Sequence, residues 1–85
     1  MKIAKIFIKN DCPRCPVAKE LGKRLESEGH CIEYCDVDTP AGLAEAMMNR
    51  VMTTPTIIIE DGAENPIVAW RGTVPTKEEV SRVLR

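Results

Sequence analysis

The chain has 85 residues, a formal charge of −1, 44% apolar and 29% charged side chains, and only three aromatics, Phe7, Tyr34 and Trp70. That size implies one small domain over residues 1–85, close to the lower limit for a self-supporting core. Near-neutral charge and scarce aromatics argue against a nucleic-acid partner, and no apolar run approaches the roughly 20 residues of a membrane span. Lys2 opens into strand-like alternation rather than a leader, so a cytoplasmic location is expected, where thiols stay reduced.

Ile3, Ile6, Phe7 and Ile8 form an apolar run that predicts a buried strand over about residues 2–9. Val17, Ala18, Leu21 and Leu25 then recur at helical spacing, which predicts a helix over about residues 13–28, stopped at Gly29. Pro13 suits its first turn, and Pro16 still falls near that turn. Between strand and helix stands Asn10-Asp11-Cys12-Pro13-Arg14-Cys15-Pro16. A helix N-terminus offers unpaired N–H groups and positive potential, which favour a thiolate over a thiol. Only the thiolate attacks disulfides, so this C-x-x-C points first to dithiol–disulfide exchange.

Ile32, Tyr34 and Val37 predict a second strand from Cys31 to Val37. Thr39 and Pro40 suit the N-cap and first position of a second helix, whose apolar stripe is Leu43, Ala44, Met47 and Met48. Packing of Met47, Met48 and Met52 onto the sheet is the expectation there, ahead of a soft binding surface. Thr56-Ile57-Ile58-Ile59 predicts a third strand and Ile67-Val68-Ala69-Trp70 a fourth, joined by a link too short for a crossover and hence paired antiparallel. Thr76 and Glu79 have capping-box spacing and open a last helix with Val80, Val83 and Leu84 inward. The first strand–helix–strand unit must be parallel and right-handed. The expected α/β architecture is a four-stranded mixed sheet flanked by three helices, a minimal thioredoxin fold of glutaredoxin-like form.

The chain resembles glutaredoxin-type redoxins over nearly its whole length. Cys12-Pro13-Arg14-Cys15, Thr53-Thr54-Pro55-Thr56 and Trp70-Arg71-Gly72 carry the resemblance, with Lys9 at a basic position common in that family. It implies Cys12 as nucleophile, exposed at the helix start, and Cys15 as the more buried resolving thiol. Lys9, Pro13, Arg14 and Pro55 would support the active site. Pro55 would be cis, leaving the Thr54 backbone free to pair with an extended substrate. Lys9, Arg14, Thr53, Thr54, Pro55, Arg71, Gly72 and Thr73 would line substrate. No metal or organic cofactor is implied within the chain. Disulfide-bearing protein clients, ribonucleotide reductase among them, are the implied partners of a monomer, with glutathione or thioredoxin reductase as electron donor.

Two departures bear on the donor. Arg14 replaces the tyrosine usual between the cysteines, and Thr73 follows Gly72 with no acidic residue before Glu78 to hold the glutathione ammonium. The Trp70-x-Gly72-x-x-Pro75 pattern instead resembles glutaredoxin-like redoxins reduced by thioredoxin reductase. Arg14 itself reads either as a cation favouring the Cys12 thiolate or as a solvated first-turn residue.

Rival readings use the other cysteines. Cys12, Cys15, Cys31 and Cys35 approach a zinc-ribbon spacing, but on a strand Cys31 and Cys35 lie about 13 Å apart at ~3.3 Å per residue. They read instead as small apolar side chains, with regulatory oxidation as the alternative. Iron–sulfur binding between two copies through Cys12 is opposed by Pro13 in that family. A non-catalytic adaptor would require Cys12 to be buried and unreactive. His30, beside Gly29, is expected to be exposed.

Overall fold

Strand β1 (Ile3–Ile8) is buried along nearly its whole length in the computed structural model, which describes residues 1–85. Its near-continuous apolar run suits a strand covered on both faces. It runs parallel to β2 (Cys31–Asp36) and antiparallel to β3 (Thr56–Glu60), and β3 pairs antiparallel with β4 (Pro66–Arg71). The sheet order is β2-β1-β3-β4. Helices α1 (Cys15–Ser27), α2 (Pro40–Met48) and α3 (Lys77–Leu84) complete the architecture expected from the sequence.

Side-chain alternation divides the interior into two cores. Ala4, Ile6 and Ile8 of β1 join Ile57 and Ile59 of β3 beneath α1 and α3, with Ala18, Leu21, Leu25 and Val80 above them. Phe7 and Ile58 project to the other face, where Cys35 and Ala46 complete a smaller cluster with α2. The termini of the helices follow local chemistry. At the end of α1, Gly29 takes φ 90°, its N–H donates to the Glu26 carbonyl, and the His30 N–H donates to that of Leu25. This is the Schellman closure that a C-terminal glycine permits. At α3, the Thr76 hydroxyl accepts from the Glu79 N–H and the Glu79 carboxylate reaches back to the Thr76 N–H, the capping box foreseen.

Three expectations are corrected. Helix α1 starts at Cys15, not Pro13, because the Cys15 N–H closes a turn onto the Cys12 carbonyl at 3.2 Å. Pro16, rather than Pro13, therefore occupies the first helical turn, where its missing N–H costs nothing. Helix α2 faces the opposite way from its expected apolar stripe: Gly42 and Ala46 are buried, whereas Met47 is 72%, Met48 80% and Met52 93% exposed. The cause is the approach of α2 to the end of β2. A Cβ on Gly42 would overlap the Asp36 carbonyl, so only small residues fit on the inner side. His30, expected to be exposed, is half-buried.

Beneath α2 lies a buried charge cluster. Lys5 Nζ is 3.1 Å from Glu45 Oε2 and 3.2 Å from Glu60 Oε1, with Lys5 4% and Glu60 3% exposed. Burial alone would depress the Lys5 pKa. Hydrogen bonds and charge from Glu45 and Glu60 outweigh it and hold the ammonium above its ordinary value. A raised cation pKa stabilises the fold fully below the unfolded value of about 10.4, and this contribution fades as pH climbs through the folded value. Lys5→Met would strand the Glu60 carboxylate in the interior and should destabilise by about 3 kcal/mol, read from urea unfolding at neutral pH. Helix α2 closes with a residue ill suited to its conformation: Arg50 sits at φ 55°, its N–H bonded to the Met47 carbonyl and the Val51 N–H to that of Ala46. Arg50→Gly should therefore raise stability by about 1 kcal/mol in the same measurement.

Candidate active site

The sheet register brings three segments to one end. Phe7 pairs with Thr56 and Thr56 with Arg71, so the loop after Ile8, the residues before Thr56 and the turn after Arg71 meet beside the start of α1. There Cys12 and Cys15 form a disulfide, with Cα atoms 5.4 Å apart. Cys15 is 2% exposed and belongs to the α1-side core; Cys12 is 8% exposed. Cys12, expected to be exposed at the helix start, is buried, though less completely than Cys15. Its bond to Cys15 draws it into the same cluster as Ile6, Ile8 and Ala18.

The helix start is prepared for negative charge. Arg14 is the N-cap, its side chain makes no capping bond, and its carbonyl accepts from both Val17 and Ala18 N–H groups. Pro16 brings no donor, so the backbone N–H of Arg14 and the dipole of α1 remain to favour a Cys12 thiolate once the disulfide is opened. Lys9, Pro13 and Arg14 are all exposed around this turn, and neither Lys9 nor Arg14 is held by an ion pair.

The opposite wall is the segment before β3. The Thr54–Pro55 peptide is cis, and Pro55 is buried. Thr54, half-buried, makes no backbone hydrogen bond through either its N–H or its C=O. Its neighbours are fixed: the Thr56 hydroxyl donates to the Thr53 carbonyl at 2.8 Å and the Gly72 N–H donates to the Pro55 carbonyl at 2.9 Å. Gly72 takes φ 73°, and a Cβ there would come 3.1 Å from Thr53 Cγ2, so both conformation and contact call for glycine. Thr73 follows it, exposed. Arg71, expected to face substrate, does not. Its guanidinium donates to the Arg50 carbonyl at 3.0 Å and the Asn49 carbonyl at 3.3 Å, closing the negative end of α2 on the other face of the sheet.

The remaining cysteines lie apart from this site. Cys35 packs with Phe7, Ala46 and Ile58 on the α2 side, whereas Cys12 and Cys15 belong to the α1 side, so the four sulfurs cannot converge on one zinc ion. Cys31 is half-exposed, and its thiol contacts the Met1 sulfur at 3.9 Å. Burial, reinforced by Glu33 and Glu45, pushes the Cys35 pKa up to about 11. Val17, in the first turn of α1, is 54% exposed, although the helical pattern had assigned it to packing.

A protein-family model described as a thioredoxin domain matches residues 1–85. The chain belongs to the thioredoxin domain family. Solved structures agree on the fold. Thioredoxin from Halobacterium salinarum, as a point mutant, superposes with a TM-score of 0.82 at 17% identity, over 98% of this chain and 71% of that one. A thioredoxin-like protein from Clostridium perfringens gives 0.83 at 17% identity, over 99% and 68%. Oxidised thioredoxin O2 from Arabidopsis thaliana gives 0.78 at 14% identity, over 98% and 71%. No curated protein matches by sequence. A thioredoxin domain with a closed cysteine pair at the entrance of α1 is suited to thiol–disulfide exchange.

The place of Cys12 at the positive end of α1 and the burial of Cys35 predict a hierarchy of thiols. After reduction, iodoacetamide at neutral pH should modify Cys12 first, while Cys35 stays protected until the chain is denatured, as read by peptide mass mapping.

Proposed function

We propose that this thioredoxin domain is a small dithiol–disulfide oxidoreductase that reduces disulfides of protein clients. One observation carries the reading: the Cys12–Cys15 pair stands at the positive end of α1, at the same sheet end as a Thr54 backbone with both polar groups unpaired. An extended client segment can hydrogen-bond to Thr54 as a strand adds to an edge, presenting its disulfide to Cys12.

The chemistry then runs in two exchanges. The Cys12 thiolate attacks one client sulfur, forming an intermolecular disulfide and expelling the other client sulfur as a thiolate. The Cys15 sulfur, losing its proton, attacks Cys12, closing the Cys12–Cys15 disulfide and releasing the second client sulfur. The client gains two electrons and two protons, and a dithiol donor restores the chain.

For the donor we favour thioredoxin reductase over glutathione. Thr73 is uncharged and the Arg71 guanidinium is occupied at α2, so the two residues flanking Gly72 offer no anchor to the charged ends of the tripeptide. A reducing, cytoplasmic setting and clients such as ribonucleotide reductase fit this scheme. The glutaredoxin-type assignment would instead hold if glutathione proved the faster donor. The adaptor alternative requires Cys12 to be both buried and unreactive; it is buried, so its reactivity toward a thiol probe decides between the two readings.

The test is a parallel assay of re-reduction of the oxidised protein by NADPH with thioredoxin reductase and by glutathione. Faster reduction by the reductase, by about tenfold or more at equal driving concentration, is expected, and the reverse order would make the protein a glutathione-dependent carrier. Cys12→Ser should abolish client reduction, whereas Cys15→Ser should accumulate mixed disulfides visible on non-reducing gels. Full turnover by Cys15→Ser would exclude the dithiol route.

A further inference from the structure

The sheet has two edges, and they are built differently. The β2 edge carries exposed Glu33 and ends on Asp36, charges that discourage a neighbouring strand. The β4 edge is Pro66-Ile67-Val68-Ala69-Trp70, uncharged until Arg71. Ile67 is 48% exposed, Ala69 is exposed, and Val68 and Trp70 are half-buried. Backbone alternation tells which polar groups are open. The Gly72 N–H donates to the Pro55 carbonyl, so Gly72, Trp70 and Val68 turn toward β3, where Trp70 pairs with Ile57 and Val68 with Ile59. The N–H and C=O groups of Ala69 and Arg71 therefore point away from β3, and no strand lies beyond them.

We propose that β4 is the interface of a symmetric dimer, pairing antiparallel with β4 of a second copy about a two-fold axis at Trp70. In that register Ala69 of one copy faces Arg71 of the other, so the outward N–H and C=O groups of both residues find partners. Trp70 meets its own counterpart at the close, non-hydrogen-bonded position between them, an aromatic cross-strand contact on the α1 face. Val68 lies opposite Gly72, and the small Ala69 leaves room for the Arg71 stem. Other registers are worse. A shift of one residue sets outward groups against inward ones. An axis at Arg71 opposes two guanidinium groups, and an axis at Ala69 sets Arg71 against Ile67, beside the irregularity between Ile59 and Glu60. Because the β2 edge is charged, the assembly closes at two copies instead of extending into a fibre. The antiparallel arrangement carries the two cysteine pairs to opposite ends of one continuous sheet. A dimer here replaces the monomer that the sequence resemblance implied.

So short a strand pair makes a dimer that dissociates on dilution. The test is sedimentation equilibrium of the full-length protein under reducing conditions, which removes any intermolecular disulfide. The wild type should approach twice the monomer mass as concentration rises. Emission from Trp70, the only tryptophan, should shift to shorter wavelength over the same range. Ala69→Lys sets an ammonium opposite Arg71 of the second copy and should raise the dimer Kd by about tenfold. Ala69→Glu sets a carboxylate there instead and should lower it. Circular dichroism and urea unfolding of the dilute proteins check that both variants fold, which the exposure of Ala69 favours. A wild type that stays monomeric at every concentration would overturn the proposal. A dimer indifferent to both substitutions would overturn it too, by placing the contact elsewhere. Weakening by both would refute the axis at Trp70, since only that register sets residue 69 against Arg71. A monomeric wild type whose reduction of a protein client slows in Ala69→Lys would give the edge to a client strand and not to a second copy.

Discussion

Cys15 is a core residue before it is a redox residue. Its sulfur lies within the cluster that includes Ile6, Ala18, Leu25 and Ile57, and the first turn of α1 is thereby fixed over the end of β1. Everything at the site follows from that anchor. Cys12, one turn outward, can open and close a bond to Cys15 only because packing holds Cys15 in place. Interiors are packed densely enough that such a position is felt to within a methylene. The disulfide therefore inherits its geometry from the hydrophobic core.

The two faces of the sheet solve different problems. The α1 face carries the larger apolar cluster, which includes both cysteines and supports the disulfide. The α2 face is thinner: it has a four-residue cluster, a buried Lys5 held between Glu45 and Glu60, and a helix brought in close by Gly42. A helix that seats with its small side inward must leave its larger apolar residues to solvent, which is why the exposed methionines accompany good packing rather than contradict it. The charge cluster also fixes α2 relative to β1 and β3, since a buried ammonium requires both of its carboxylates in position.

What was legible in the sequence was local. The capping box at Thr76 and Glu79, the stop at Gly29, the Thr39–Pro40 helix start and the cis bond before Pro55 each depend on residues a few positions apart. Two of the misreadings required knowledge of distant backbone. Leu43, Met47 and Met48 had the spacing of a buried stripe, but the steric limit at Gly42 comes from Asp36 of another element. Arg71 looked like a substrate contact because it adjoins Gly72. Its true partners, the Asn49 and Arg50 carbonyls, lie 22 and 21 residues back in the chain. The helix start shifted from Pro13 to Cys15 because either proline suits a first turn, and the turn from Cys12 to Cys15 decides between them.

Those distant contacts have a consequence for the site. The segment 50–55 connects the C-terminus of α2 to β3 and forms the wall of the site opposite the cysteine pair. At its start, Arg71 holds the Asn49 and Arg50 carbonyls; in its middle, Thr53 lies over Gly72; at its end, the Pro55 carbonyl accepts from the Gly72 N–H. Every one of these ties reaches the same two residues at the end of β4. The wall and the β4 turn are therefore coupled into one unit, and the free N–H and C=O of Thr54 are presented from a segment secured on both sides. Binding that draws on such preorganised groups loses less ordering entropy than binding to a mobile loop. The labour is divided between the two faces: packing on the α1 face positions the sulfurs, and the Arg71–Gly72 clamp positions the Thr54 backbone, the group proposed above to pair with a client.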